Sequence, residues 1–213
     1  MDPKAHWERV YNTKEPRELS WFEPEATLSL ELIQDATPDR EASIIDIGGG
    51  ASTLVDGLLD AGYHRITVLD LSAAALAQSQ HRLGDRARTI SWREADVLNV
   101  DLPAHSFDVW HDRAVFHFLT DAADRVRYVA QVRHAVRRGG HVLVATFAED
   151  GPTRCSGLDV ERYSADSLHS EFGDDFRVVA SRRVTHHTPW GTRQPFTYCL
   201  CRFEPHATLR HVA

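Results

Sequence analysis

Two patterns of apolar residues alternate along this chain. Short apolar runs such as 44–47 are typical of buried strands, whereas apolar residues that recur every three or four positions are typical of amphipathic helices. Because strands that alternate with helices form parallel sheets covered on both faces, the pattern predicts an α/β fold. The predicted elements are helices over 25–35, 52–61, 72–83, 121–137 and 164–172, and strands over 44–47, 68–71, 89–92, 107–111 and 141–147.

The last part of the chain has a different pattern. Two further strands are predicted over 176–180 and 196–203, but the stretch 185–191 between them is rich in turn residues and fits no helix. Strands joined without a helical crossover pair antiparallel, so we expect a hairpin at the sheet edge, with His186 and His187 solvated in its loop. The sequence therefore predicts a Rossmann-like, doubly wound, mostly parallel seven-stranded sheet with a C-terminal antiparallel β-hairpin.

The helix over 121–137 has the strongest apolar stripe of the chain. Val126, Val129, Val132 and Val136 lie three or four positions apart, with basic residues near the end of the helix and two glycines after it. Such a stripe packs against a sheet in α/β proteins. All four valines are therefore expected to face the core.

Composition narrows the classes of function. A chain of 213 residues with 42% hydrophobic residues can bury one good core, so we expect a single domain over 1–213. A net charge of −7 without any basic block argues against nucleic acid, whose binding depends on Lys and Arg. No apolar run reaches membrane-spanning length, and residues 1–6 lack the apolar segment of a signal peptide. The expected location is the cytoplasm, away from membranes.

A glycine-rich turn is the strongest indication of a ligand. The apolar run 44–47 ends in Gly48, Gly49 and Gly50 and passes directly into a predicted helix, as in turns that let a nucleotide approach the backbone. Asp70 ends the next apolar run, about twenty positions on, where a carboxylate reaches ribose hydroxyls. Asp96 follows the third predicted strand. Together these residues predict a nucleotide-like cofactor.

The succession of elements and these motifs resemble the class I S-adenosylmethionine-dependent methyltransferases, over nearly the whole chain. The first motif of that family, an acid followed by alternating glycines, is matched by Asp46, Gly48 and Gly50, with Ser52 where a third glycine is common. The resemblance implies S-adenosylmethionine as cofactor and S-adenosylhomocysteine as product. It also implies a set of cofactor contacts: Asp70 and Leu71 at the ribose, Asp96 and Val97 at the adenine, and Asp112 beside the methionine part and the substrate.

The N-terminal segment resembles that of two branches of the family, one that methylates protein lysines and one that modifies small thiols, halides or related nucleophiles. Both place aromatic residues over the cofactor as a lid, a role that Trp7, Tyr11, Trp21 and Phe22 would take here. The resemblance implies a lid over 1–24, a cofactor-binding core over 25–150 and a C-terminal part over 151–213. The lysine branch commonly has Asp-Lys-Gly after strand four, and this chain matches it only at Asp112.

Methyl transfer depends more on the positioning of the reactants than on catalytic side chains. Alignment lowers the activation barrier by roughly 7 to 11 kcal/mol, which exceeds the usual contribution of a general base. If a base is used, the candidates after strand four are His111, His117 and Asp112. We expect a small-molecule acceptor, with a protein lysine as the alternative. From other classes, an NAD(P)-dependent oxidoreductase and a non-catalytic cofactor-binding protein remain open.

The three cysteines do not indicate a metal site. Cys199 and Cys201 alternate on one predicted strand, so their thiols point to the same side, and Cys155 lies in a predicted loop. Structural zinc takes four ligands, and there is no second pair. Packing in the core explains the pair better, so no metal is expected. The oligomeric state is not predicted.

Overall fold

The computed structural model describes residues 2–205. The helices are α1 (Pro3–Thr13), α2 (Thr27–Ala36), α3 (Leu54–Asp60), α4 (Ala73–Leu83), α5 (Ala122–Ala135) and α6 (Ala165–Phe172). The strands are β1 (Ser43–Ile47), β2 (Arg65–Asp70), β3 (Ser91–Glu94), β4 (Phe107–Arg113), β5 (Val136–Phe147), β6 (Arg154–Cys155), β7 (Leu158–Asp159), β8 (Phe176–His187) and β9 (Arg193–Phe203). Short 3-10 turns cover Pro16–Glu18, Gly84–Thr89 and Phe116–Phe118.

Seven strands form one sheet in the order β3-β2-β1-β4-β5-β9-β8, and β6 and β7 form a separate hairpin. The strands from β1 to β5 are parallel, whereas β9 pairs antiparallel with both β5 and β8. The predicted fold class is confirmed. The direction in which strands are added reverses between β1 and β4, and ligands of such sheets bind at the carboxyl ends beside this reversal.

Side chains of the sheet alternate between two buried clusters, one on each face. Ile44 packs with Leu54 and Leu58 of α3, whereas Ile45 packs in the other cluster with Val129 and Val132 of α5. Both isoleucines of β1 are fully buried, as a central parallel strand requires. Both faces of the sheet are therefore packed against helices, which fixes the positions of the residues at its carboxyl edge.

The helix after β4 departs from the prediction at both ends of its valine stripe. It ends at Ala135, and Val136 is the first residue of β5. Val129, Val132 and Val136 are buried, but Val126 is 70% exposed, so its predicted inward orientation was wrong. The buried face of α5 is set by Tyr128, Val132 and Ala135, and helical geometry turns Val126 away from that face.

The C-terminal hairpin is longer than predicted. The strand β8 continues to His187, and the connecting turn covers only residues 188–192, where the Thr188 hydroxyl accepts a hydrogen bond from Thr192 N at 2.9 Å. His186 is therefore buried in a strand, with Nε2 at 2.7 Å from the Ser20 carbonyl oxygen. The expectation that it is solvated was wrong, whereas His187 is exposed.

No helix was predicted over the N-terminal segment, but α1 forms there. Pro3 occupies its first turn, and the Asp2 carboxylate accepts from Lys4 N at 3.0 Å, which caps the helix. Tyr11, Val10 and Leu19 of this segment bury against Ala51 and Ala75, beside the glycine turn. Within residues 2–205, no helix is both long enough and apolar enough to span a bilayer.

Candidate active site

The glycine turn after β1 leaves no room for side chains. Gly48 has φ of +65°, a conformation that glycine adopts without strain. A Cβ on Gly50 would lie 2.4 Å from the Ala75 Cβ and 2.6 Å from Asp70 Oδ2. The backbone of the turn is thus packed directly against α4 and the end of β2. Of its predicted cofactor residues, Gly48 lines both cavities described below and Gly49 lines the smaller one, whereas Gly50 is buried and lines neither.

Asp70 closes this arrangement from β2. Its Oδ2 accepts from Gly50 N at 3.0 Å, and its Oδ1 accepts from Ser72 N at 2.8 Å. Burial raises the pKa of Asp70 to about 6, even though the two backbone hydrogen bonds oppose this change. Each oxygen keeps acceptor capacity, and both Asp70 and Leu71 line a large cavity.

Asp96 holds the turn after β3. Its Oδ1 accepts from Leu98 N at 2.9 Å, and its Oδ2 accepts from the Asn99 side-chain amide at 2.6 Å. Val97, between these residues, is buried, and both Asp96 and Val97 line the same cavity as Asp70. The structure therefore brings the predicted ribose and adenine residues together at one edge of the sheet.

Asp46 lies beneath the glycine turn rather than at its surface. It is the register partner of His111 on β4, with Asp46 Oδ1 at 2.6 Å from His111 Nδ1, and His111 Nε2 lies 2.9 Å from the Ser29 hydroxyl. Asp46 Oδ2 has no hydrogen-bond partner in the described chain. Both side chains are 2% exposed and line a second, small cavity.

Asp112 does not line either cavity. Its fully buried carboxylate accepts from Val115 N at 2.9 Å, Phe116 N at 3.0 Å and the Tyr128 hydroxyl at 2.5 Å. Burial raises the pKa of Asp112 to about 6, although these donors favour the ionised form. The side chain predicted to border the cofactor is thus committed to hydrogen bonds inside the protein.

His117 is also turned into the core. Its Nδ1 accepts from Phe147 N at 3.4 Å, so the neutral ring carries its hydrogen on Nε2, which has no partner within residues 2–205. Burial lowers the pKa of His117 to about 3, and the Arg113 charge acts in the same direction. None of the three candidate bases His111, His117 and Asp112 lines the large cavity.

The large cavity has a volume of about 640 Å³. Besides the strand ends, it is lined by residues of the N-terminal segment, the turn after β4 and the β6–β7 hairpin: Trp7, Tyr11, Trp21, Phe118, Cys155 and Leu158. The Trp7 ring lies edge-on to the Trp21 ring at 5.6 Å and to the Phe118 ring at 5.2 Å. These aromatic rings form the part of the cavity wall that faces the strand ends, and we call Trp7, Trp21 and Phe118 the cover of the cavity.

Arg113 joins this cover to the sheet, and the sequence did not single out this role. Its Nε donates to the Tyr198 hydroxyl at 3.0 Å, and its two terminal nitrogens donate to the Trp21 carbonyl at 3.0 Å and to Glu23 Oε1 at 2.8 Å. The guanidinium also lies 4.6 Å from the centre of the Phe196 ring. Arg113 lines both cavities, and Glu23 lines the small one.

The cysteine pair on β9 has the predicted orientation. Cys199 and Cys201 are buried on the same side of the strand with their Sγ atoms 3.5 Å apart. Among residues 2–205, no group of three or more His, Cys, Asp or Glu side chains has the arrangement of a metal site.

Residues 44–140 match the family model of a methyltransferase domain. The chain is 23% identical over 148 residues to the eEF1A lysine and N-terminal methyltransferase of Danio rerio. This match covers 68% of the chain, and the chain spans about a fifth (21%) of the length of that relative.

Several solved structures share the fold. A structure described by the conversion of a disulfide bond into a thioacetal group during echinomycin biosynthesis has a TM-score of 0.76 at 17% identity, with 96% of this chain and 94% of that chain covered. The 1,6-didemethyltoxoflavin-N1-methyltransferase of Burkholderia thailandensis, with bound 1,6-didemethyltoxoflavin and S-adenosylhomocysteine, has a TM-score of 0.64 at 23% identity, with 85% and 80% covered.

Proposed function

We propose that the chain is a class I S-adenosylmethionine-dependent methyltransferase that transfers a methyl group to a small-molecule nucleophile. The large cavity supports this proposal. Its walls include the residues predicted to contact the ribose and the adenine and, in the same space, apolar and aromatic side chains such as Trp7, Phe118 and Leu158. A concave, mostly apolar pocket with a few polar groups is typical of small-molecule sites.

The described residues fit the cofactor. In the proposal, Asp70 and Leu71 hold the ribose, and Asp96 and Val97 hold the adenine. Asp46 lines the small cavity, and its buried Oδ2 has no hydrogen-bond partner within residues 2–205. Such a carboxylate oxygen suits a cationic amino group. When bound, S-adenosylmethionine supplies a methyl group on a positively charged sulfur, and S-adenosylhomocysteine is left after transfer.

The proposed work of the protein is alignment and exclusion of water. Trp21 and Tyr11 line the cavity and present apolar rings, which tolerate a nearby cation and keep water away. Alignment of the acceptor behind the methyl group lowers the activation barrier by roughly 7 to 11 kcal/mol, more than a general base usually does. None of His111, His117 and Asp112 lines the large cavity, so no general base from this set takes part in the proposed mechanism.

The alternative acceptor is a protein lysine, because the Danio rerio relative is named for lysine methylation. Only part of the motif of that branch is present. Arg113 and Ala114 stand where its Asp-Lys-Gly triplet has lysine and glycine, so Asp112 is the one matching residue of the three.

Labelled S-adenosylmethionine tests the proposal. The protein is incubated with a cell lysate and the labelled methyl donor, and metabolites are separated from macromolecules. We expect label in small molecules that depends on the added protein. Label confined to a protein band would refute the small-molecule proposal and favour the lysine alternative. Tighter binding of NAD than of S-adenosylhomocysteine in calorimetry would favour an oxidoreductase, and cofactor binding without any labelled product would favour a non-catalytic protein.

A further inference from the structure

Three buried side chains form a chain of hydrogen bonds behind the cavity. Trp110 Nε1 donates to the Tyr128 hydroxyl at 2.8 Å, and this hydroxyl donates to Asp112 Oδ2 at 2.5 Å. All three residues are fully buried. Because one hydroxyl accepts from the indole and donates to the carboxylate, its orientation is determined on both sides. Tyr128 on α5 is therefore tied to the end of β4.

The Asp112 carboxylate in turn determines the backbone of the loop 112–116. It accepts from the N–H groups of Val115 and Phe116, which follow Ala114. Ala114 has φ of 70°, a conformation that a residue with a Cβ keeps only when its surroundings hold it there. The loop thus depends on the carboxylate for its shape.

This loop is one wall of the cofactor pocket. Ala114 and Val115 line the large cavity, and Val115 Cγ2 lies 2.1 Å from the point that a Cβ on Gly48 would occupy. The loop and the glycine turn are therefore in direct contact. A small displacement of Val115 changes the surface that both present to a ligand, because packed groups at this distance move together.

On the basis of the proposed function, we infer that Tyr128 is a positioning residue for cofactor binding. Its hydroxyl holds Asp112, and Asp112 holds Val115 against Gly48 in the geometry that accepts S-adenosylmethionine. Tyr128 itself does not line the cavity, so it acts only through the loop.

Two tyrosine-to-phenylalanine variants distinguish an effect on cofactor binding from a general effect of losing a buried tyrosine hydroxyl. Tyr128→Phe removes the hydroxyl bonded to Asp112, and the matched control Tyr163→Phe removes a buried hydroxyl without a partner in the described chain. Both rings pack on Phe116, at 5.0 and 5.7 Å. We expect Tyr128→Phe to weaken S-adenosylhomocysteine binding at least about fivefold in calorimetry and Tyr163→Phe to change it less than about twofold. An unchanged Kd in Tyr128→Phe would overturn the inference.

Hydrogen exchange in the wild-type protein tests the same inference if Tyr128→Phe does not fold. The Val115 and Phe116 amides should be protected to the same degree as those of β4, because a buried carboxylate bonds them. Exchange as fast as in exposed loops would contradict the inference. A wild-type protein that binds no S-adenosylhomocysteine would instead refute the proposed function, which keeps the two failures distinct.

Discussion

Arg113 and Glu23 form the ion pair that fastens the N-terminal segment to the carboxyl end of β4. The guanidinium nitrogen lies 2.8 Å from Glu23 Oε1, and the two side chains are 10% and 26% exposed. Burial alone would raise the pKa of Glu23, but a hydrogen bond with His186 and the Arg113 charge lower it below its ordinary value. The cover of the cavity thus depends on a pairing between residues 90 positions apart.

Glu23→Gln should destabilise the protein by about 1–3 kcal/mol, because Arg113 then stays buried without its countercharge. Urea unfolding measures this change. Glu25→Gln is the matched control, since Glu25 is exposed, and it should alter the free energy of unfolding by less than about 0.5 kcal/mol. Equal stabilities of the two variants would mean that the pair contributes nothing to the fold.

Cofactor affinity should depend on pH through Asp70. Burial raises its pKa to about 6, so the carboxyl is protonated below that pH and becomes a stronger acceptor for ribose hydroxyls above it. Binding of S-adenosylhomocysteine should therefore strengthen as the pH rises from about 5 to about 7, through the Asp70 pKa of about 6. In Asp70→Asn this dependence should become shallower, and an identical pH profile in both proteins would refute the assignment.

The same raised pKa has an opposite consequence for stability. A carboxyl whose folded pKa lies above its unfolded value of 3.8 stabilises the fold below that value and loses this contribution as the pH rises through about 6. Asp112 shares this direction. Asp112→Asn should therefore reduce the loss of stability between pH 4 and pH 6, measured by urea unfolding at each pH, because the amide does not ionise. The variant would contradict this expectation if its loss of stability over that range equalled the wild-type loss.

Gly50→Ala should weaken S-adenosylhomocysteine binding more than about tenfold and cost about 1–3 kcal/mol of stability, because the new Cβ would collide with Ala75 and Asp70. Gly57→Ala is the control. Gly57 lies in α3, and a Cβ there would meet only the flexible end of the Leu30 side chain, at 3.0 Å. Alanine also forms helices better than glycine does. We expect that control to keep wild-type affinity, and a Gly50→Ala protein with wild-type affinity would show that the collision does not displace Asp70 from the ligand.

Val132→Ala should cost about 1–3 kcal/mol, whereas Val126→Ala should change stability by less than about 0.5 kcal/mol. Val132 is fully buried in the sheet–helix interface, and Val126 is 70% exposed on the same helix. Chemical denaturation of both variants measures the difference. Comparable losses would mean that α5 presents a different face to the sheet.

The local signals predicted most of the fold because they arise from neighbouring residues. An apolar run such as 44–47 is a buried strand wherever it is covered on both faces, and three glycines after it produce a tight turn in any such protein. The carboxyl ends of parallel strands meet at one edge, so Asp70 and Asp96 were expected there, and both line the large cavity. The helix α1 was not predicted, and the local sequence feature that marks its start is the Asp2 N-cap followed by Pro3.

The sequence by itself determined the sheet, its edge hairpin and the glycine turn with its acids, since each follows from spacing along one short segment. Only the tertiary structure decided that Asp112 turns inward to Tyr128 while the adjacent Arg113 reaches Glu23 and Tyr198, because successive strand residues point to opposite faces and their partners come from distant segments. It likewise placed His186 beside Ser20, 166 positions away. Such contacts are set by packing of the whole chain, and no local pattern encodes them.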